Sequence, residues 1–190
     1  MKFEADTPGD FNSGTLYVFK HDNPKGERWV EVPENIPNLL GGLTEYAWSV
    51  GATMYMRNEW VAIDNKTGIV YWTETGRDSG SSGPGIVFNA FTQNTNAVIA
   101  PHHTALANER GHDGPTDLEY QDYYGRVLYY DPVSQEIGVA VEGGPYFENS
   151  PSEADYPDIH LSNPDGLKTI EIDGQTFLMI SEDLNGTSNG

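Results

Sequence analysis

The sequence predicts an all-β chain of repeated hairpins carrying one short helix. Three observations predict it. Runs of β-branched and aromatic residues come in pairs, each pair split by a turn rich in Asp, Asn, Gly or Pro. Aromatics are 12% of the chain against a hydrophobic share of 37%, so large rings such as Trp29, Trp48, Trp60 and Trp72 supply buried area, and the chain reads as folded. A single stretch carries both a start and a stop signal for a helix.

The first hairpin runs along Gly14–Lys20, turns at Asn23-Pro24-Lys25-Gly26 and returns along Arg28–Val32. The helix follows at Leu43–Val50, with Thr44 as its N-cap and Gly51 as the residue that stops it. The second hairpin is Trp60–Ile63, a turn Asp64-Asn65-Lys66-Thr67-Gly68 and Ile69–Thr73. The third is Gly125–Tyr130, a turn Asp131-Pro132-Val133-Ser134 and Ile137–Val141. The fourth is Leu167–Ile172, the tight turn Asp173-Gly174 and Thr176–Ile180. Asp-Gly between alternating apolar residues is the strongest of these signals, because both residues tolerate the positive φ that tight hairpin turns use.

The last three hairpins share a pattern. An apolar strand ends in Asp, a turn follows, and the return strand runs into an acidic or Gly-rich exit: Glu74-Thr75-Gly76, Glu142-Gly143-Gly144 and Glu182-Asp183. Degenerate repetition of this kind favours β-propeller blades over a β-sandwich of hairpins. The connections 76–96, 101–122 and 143–163 are long and polar and read as loops, and the tail from Asn185 to Gly190 reads as a frayed end. The chain of 190 residues suffices for one domain. Residues 1–190 are read as a single propeller-type segment truncated at both ends, with Met1 an internal or added methionine.

Lys and Arg total 10 against 29 Asp and Glu, a formal net charge of -19. Such a chain repels phosphate backbones, which excludes nucleic acid as a partner. The acidity is spread along the chain, giving a soluble surface and carboxylates able to bind hard cations such as calcium. There is no cysteine, hence no disulfide and no thiolate site. Met1–Asp6 lacks the apolar core of a signal peptide, and no stretch has the length of a membrane-spanning helix.

Two carboxylates stand at equivalent places. Glu59, in Arg57-Asn58-Glu59-Trp60, and Asp165, in Ser162-Asn163-Pro164-Asp165-Gly166, each precede the first strand of a hairpin. Both could therefore face one central channel and hold a hard cation there. The plainer readings are an exposed Glu beside a buried Trp, and an ordinary Asn-Pro-Asp-Gly turn. His102 and His103, with Glu109, His112 and Asp113, invite a transition-metal reading. Their spacing matches no tight site and the stretch has no expected rigid frame, so they are read as loop residues. The run Ser79–Gly85 lacks a phosphate-loop lysine and reads as a flexible loop, and Asn65-Lys66-Thr67 is a glycosylation sequon inside a tight turn.

Four stretches, in order, resemble the PhoX-type alkaline phosphatase family: Phe11–Val18; Ser49–Thr53 with Arg57–Gly68; Tyr123–Leu128; and Asn163–Leu167. The resemblance implies a multi-bladed propeller, export to the periplasm or outside the cell, and calcium-dependent hydrolysis of small phosphate esters, with iron also present in the channel. It places Glu59 where the family has a channel metal ligand, and Asp165 at another. Asn58 stands where the family has Pro, Gly166 where it has Asn, and the family's iron-binding cysteine has no counterpart. An incomplete ring would leave sheet edges open to self-association. The alternative is a non-catalytic acidic β-propeller scaffold or binding module.

Overall fold

The computed structural model describes residues 1–36, 39–76, 98–109, 111, 113–114, 122, 124–143 and 161–182. They fall into two compact units, residues 1–54 with 98–100, and residues 55–76 with 101 onward. Among the described residues the structure is mostly β, with two helices where the sequence predicted one.

The first unit is a three-stranded antiparallel sheet in the order β1 (Lys2–Ala5), β2 (Gly14–Phe19), β3 (Trp29–Glu31). β2 and β3 are the first expected hairpin, paired from Tyr17–Glu31 to Phe19–Trp29. Helix α1 (Leu39–Ser49) follows, then β4 (Thr53–Met54), which pairs in parallel with β7 (Val98–Ile99). Val18, Val32 and Ala52 are the buried centre, with Leu16, Val30, Leu43, Tyr46, Ala47 and Val50 packed around them. The helix ends as the sequence predicts. Gly51 takes φ 75°, its N–H donates to the Trp48 carbonyl at 3.1 Å, and the Ala52 N–H donates to Ala47 at 2.8 Å. That pair of bonds closes the last carbonyls in a Schellman cap. The start differs: the helix begins at Leu39, so Thr44 lies inside it and caps nothing.

The second unit carries a four-stranded antiparallel meander, β5 (Asn58–Ile63), β6 (Val70–Glu74), β8 (Arg126–Asp131) and β9 (Glu136–Glu142), and a separate hairpin, β10 (Pro164–Ile172) with β11 (Gln175–Glu182). The second, third and fourth expected hairpins are thus β5–β6, β8–β9 and β10–β11. Two of their turns use the same device. Asp64 accepts the Lys66 N–H and the Thr67 hydroxyl, each at 2.9 Å, and Asp131 accepts the Val133 N–H and the Ser134 hydroxyl, each at 2.8 Å. A side chain that closes its own turn in this way fixes the bend locally. The third turn has φ 50° at Asp173 and 80° at Gly174, the two positive values a tight hairpin requires.

Hydroxyl-to-backbone bonds fasten the β10 hairpin against the meander. Thr73 donates to the Asp165 carbonyl at 3.2 Å, Thr75 to Pro164 at 2.8 Å, and Thr169 to Ile63 at 2.8 Å. Asn163, at φ 47°, gives its side-chain amide to the Thr75 carbonyl at 3.0 Å. Helix α2 (Pro101–Glu109) lies in a connection expected to be a loop. Pro101 opens it, where a missing N–H costs nothing, and Leu106 and Ala107 are buried. The Ser79–Gly85 run and the tail lie outside the described residues.

Candidate functional site

At one end of the meander a single row of partners crosses the sheet: Asn58 opposite Glu74, Glu74 opposite Arg126, Arg126 opposite Glu142. Directly opposed residues share a face, so this register brings opposite charges together. Arg126 Nη1 donates to Glu74 Oε2 at 2.5 Å and Nε to Glu142 Oε1 at 2.8 Å, while Nη2 lies 2.6 Å from Asp122 Oδ2. Glu74, Asp122 and Arg126 are each 0% exposed. Charges this deep persist only when paired and hydrogen-bonded.

The backbone makes room for that burial. Gly125 has φ 67°, and a Cβ there would sit 2.2 Å from the Glu74 carbonyl oxygen. Gly76, at φ 81°, would bring a Cβ within 2.8 Å of the Gly125 nitrogen. The exit of β6 and the entry of β8 can approach so closely only through glycine.

Helix α2 adds two imidazoles. His102 Nε2 is 2.7 Å from Glu74 Oε2, and His103 Nε2 is 2.9 Å from Glu74 Oε1. The Met56 N–H also donates to Oε1, at 2.5 Å. One carboxylate therefore serves four donors. Tyr55 stacks against His102 at 6.0 Å between centroids and meets Trp72 edge-on at 5.7 Å, walling the outer side of the imidazole. Burial alone pushes the Glu74 carboxyl up. The charges of His103 and Arg126 and the hydrogen bonds from both imidazoles outweigh it and hold the group well below the usual carboxylate range. Burial holds His102 below its ordinary value despite the hydrogen bond and charge of Glu74. The donor atoms of Glu74, His102 and His103 all lie within 4.8 Å of one another, a spacing able to hold a metal ion.

Neither expected channel carboxylate belongs to that group. Glu59 lies on β5, half exposed, with Arg57 Nη2 3.5 Å from its Oε1. Arg57 has φ 52°, an uncommon backbone conformation for a side chain of its size, just before the strand. Asp165 is the second residue of β10, half-buried, where the sequence predicted a turn before the strand. Glu59 directly follows Asn58 of the cross-sheet row, and the Asp165 carbonyl accepts from Thr73, the neighbour of Glu74. Of the histidine stretch, His102 and His103 come together on Glu74, a pairing the sequence reading did not make, and Asp113 is exposed. The Glu109 side chain and His112 lie outside the described residues. Helix α2 supplies the rigid frame, and Pro101 followed by a helix-forming Ala105-Leu106-Ala107 is its signal in the sequence.

No protein-family model matches the sequence, and no curated protein does. Among solved structures, PhoX of Pseudomonas fluorescens, in complex with vanadate, a transition state analogue, matches with a TM-score of 0.50 at 20% identity. The match covers 94% of this chain and 32% of that protein, so the chain spans about a third of the length of its match. No helix of the described residues is long and apolar enough to cross a membrane. Over nearly its whole length the chain is therefore PhoX-like in fold, corresponding to part of that protein.

Proposed function

We propose that this chain is a β-propeller segment of an exported, calcium-dependent phosphate-ester hydrolase, with Glu59 and Asp165 as channel metal ligands. The observation that carries the reading is the fold likeness to PhoX, which was captured with a transition state analogue. The architecture is consistent with it. A four-stranded antiparallel meander has the form of a propeller blade, and the β10–β11 hairpin is fastened beside its first strands by Thr73, Thr75 and Thr169.

Carboxylate oxygens suit calcium, and Glu59 and Asp165 would supply two of the roughly six to eight oxygens it takes. Bound calcium supplies positive charge that draws in a phosphate ester and offsets charge on the transferring group. Glu59 is steered by Arg57. Asp165 is held through its own carbonyl by Thr73, so its carboxylate is offered from a fixed strand rather than a loop. Iron enters this reading only through the resemblance, since no cysteine is present.

The test is a thermal melt in EDTA and in excess calcium, on the parent chain and on Glu59→Gln, with vanadate added to each. At a hundredfold excess over Kd, calcium binding stabilises by about 2.7 kcal/mol. The expected result is a calcium-dependent rise in Tm, increased further by vanadate and lost in the variant. A calcium rise with no response to vanadate favours the non-catalytic scaffold, for which the buried ion pairs of Arg126 with Glu74, Asp122 and Glu142 speak, since they have the makeup of a structural support. Among the described residues β9 and β11 are edge strands, with Val139, Val141, Phe177 and Met179 exposed on them, and they are the proposed route of self-association. Analytical ultracentrifugation across a concentration series tests it.

A further inference from the structure

We propose that Glu74, His102 and His103 form a binding site for a borderline divalent transition metal of the zinc class, separate from the calcium carboxylates Glu59 and Asp165. The donor set decides the class. Two imidazole nitrogens and one carboxylate oxygen suit zinc and its neighbours, whereas calcium takes oxygen alone. The geometry is close to what such an ion needs. The two Nε2 atoms stand 2.7 and 2.9 Å from the carboxylate oxygens, and ligands of a tetrahedral zinc with bonds of 2.0–2.1 Å stand about 3.3 Å apart, so insertion asks for shifts of about half an ångström.

The supporting contacts are also those of a metal ligand. Arg126 Nη1 on Oε2 and the Met56 N–H on Oε1 fix the plane of the Glu74 carboxylate, as hydrogen bonds to ligating carboxylates do. Helix α2 holds both imidazoles on one side, with ring centroids 4.4 Å apart. Arg126 by itself would balance Glu74; the two added imidazoles exceed what a plain ion pair needs.

The experiment uses the whole 190-residue chain, stripped with EDTA and titrated with cobalt(II) as a visible probe. The expected result is strong four-coordinate cobalt absorption saturating at one equivalent, displaced by zinc and untouched by calcium. His102→Ala and His103→Ala should each weaken cobalt binding by at least about tenfold, and His21→Ala and Glu59→Gln should leave it unchanged. In the unmutated chain, zinc should shift the ring-nitrogen NMR signals of His102 and His103 and leave those of His21 in place, a readout that requires no variant to fold. A weak octahedral cobalt spectrum, unmoved His102 and His103 signals, or equal affinity in the folded histidine variants would overturn the proposal. Because Glu59→Gln abolishes the calcium response and spares the cobalt response, failure of one site is distinguishable from failure of the other.

Discussion

Arg126 is the keystone of the second unit, and replacing it with Met tests the reasoning most directly. The guanidinium is 0% exposed and touches Glu74, Asp122 and Glu142 at 2.5, 2.6 and 2.8 Å. Met keeps much of the stem volume and removes every donor. Glu74 and Asp122, both 0% exposed, then stay buried without their cation. Breaking a buried pair on one side costs about 3–5 kcal/mol, because it strands the partner's charge. That is a loss of about two to three and a half decades in the folding equilibrium. Urea denaturation followed by tryptophan fluorescence reads it, since Trp60 and Trp72 report on this unit. The double variant Glu74→Gln with Arg126→Met should recover part of the loss, as removing both charges relieves the stranded one. A cost of Arg126→Met below about 1 kcal/mol, the range of solvent-exposed pairs, would refute the claim that the network is dry and cooperative.

Three further outcomes follow from the same geometry. Gly125→Ala would place a Cβ 2.2 Å from the Glu74 carbonyl at a φ of 67°, so it should cost at least about 2 kcal/mol in denaturant, and a neutral result would mean that β6 and β8 can separate there. Thr75→Val keeps the shape but leaves the buried Pro164 carbonyl without its donor at 2.8 Å, a loss of about 1–3 kcal/mol that denaturation should register. The third concerns acid. Glu74 has a folded pKa well below its ordinary 4.5, so its stabilisation is complete above 4.5 and is lost as pH falls through the folded value. His102 is also depressed, from an ordinary 6.5, so the unfolded chain takes up protons first and stability begins to fall as pH drops through 6.5. Melts of the metal-free chain from neutral pH downward should show an early decline followed by a steeper one; flat stability from pH 7 to 4.5 would contradict the His102 assignment, and no further decline below pH 4.5 would contradict that of Glu74.

The four hairpins could be read from the sequence because their causes are local. Asp64 and Asp131 close turns with partners two and three residues away, and Asp173-Gly174 needs only its own backbone. Gly51 likewise ends α1 within one turn of chain. The start of α1 escaped because Thr44 resembles a cap while residues before it already continue the helix. β1, β4 and β7 are short and owe their strand form to a partner: β4 and β7 are two residues each, and carry no periodicity to read. The row Asn58–Glu74–Arg126–Glu142 was hidden for a deeper reason. Glu74 and Arg126 are 52 residues apart, and only the register of three strand pairs makes them neighbours. His102 and His103 drew notice as residues, yet their target belongs to another element.

Strand direction explains why the chemistry gathers where it does. In the meander β5 begins, β6 ends, β8 begins and β9 ends at one edge, and the Thr75–Pro164 bond brings the start of β10 to the same place. Glu59 opens its strand while Glu74 and Glu142 close theirs, so antiparallel pairing carries three carboxylates to one end, and the Thr75–Pro164 bond adds Asp165. Their environments then separate them. Glu74 is sealed by α2, Met56 and Arg126, and accepts nitrogen neighbours; Glu59 is half exposed, with a single guanidinium 3.5 Å away. A sealed nitrogen-and-oxygen pocket and a solvent-facing oxygen site favour different cations. If cobalt and calcium compete for one site in titrations of the parent chain, that separation fails, and the row acts as one centre instead of two.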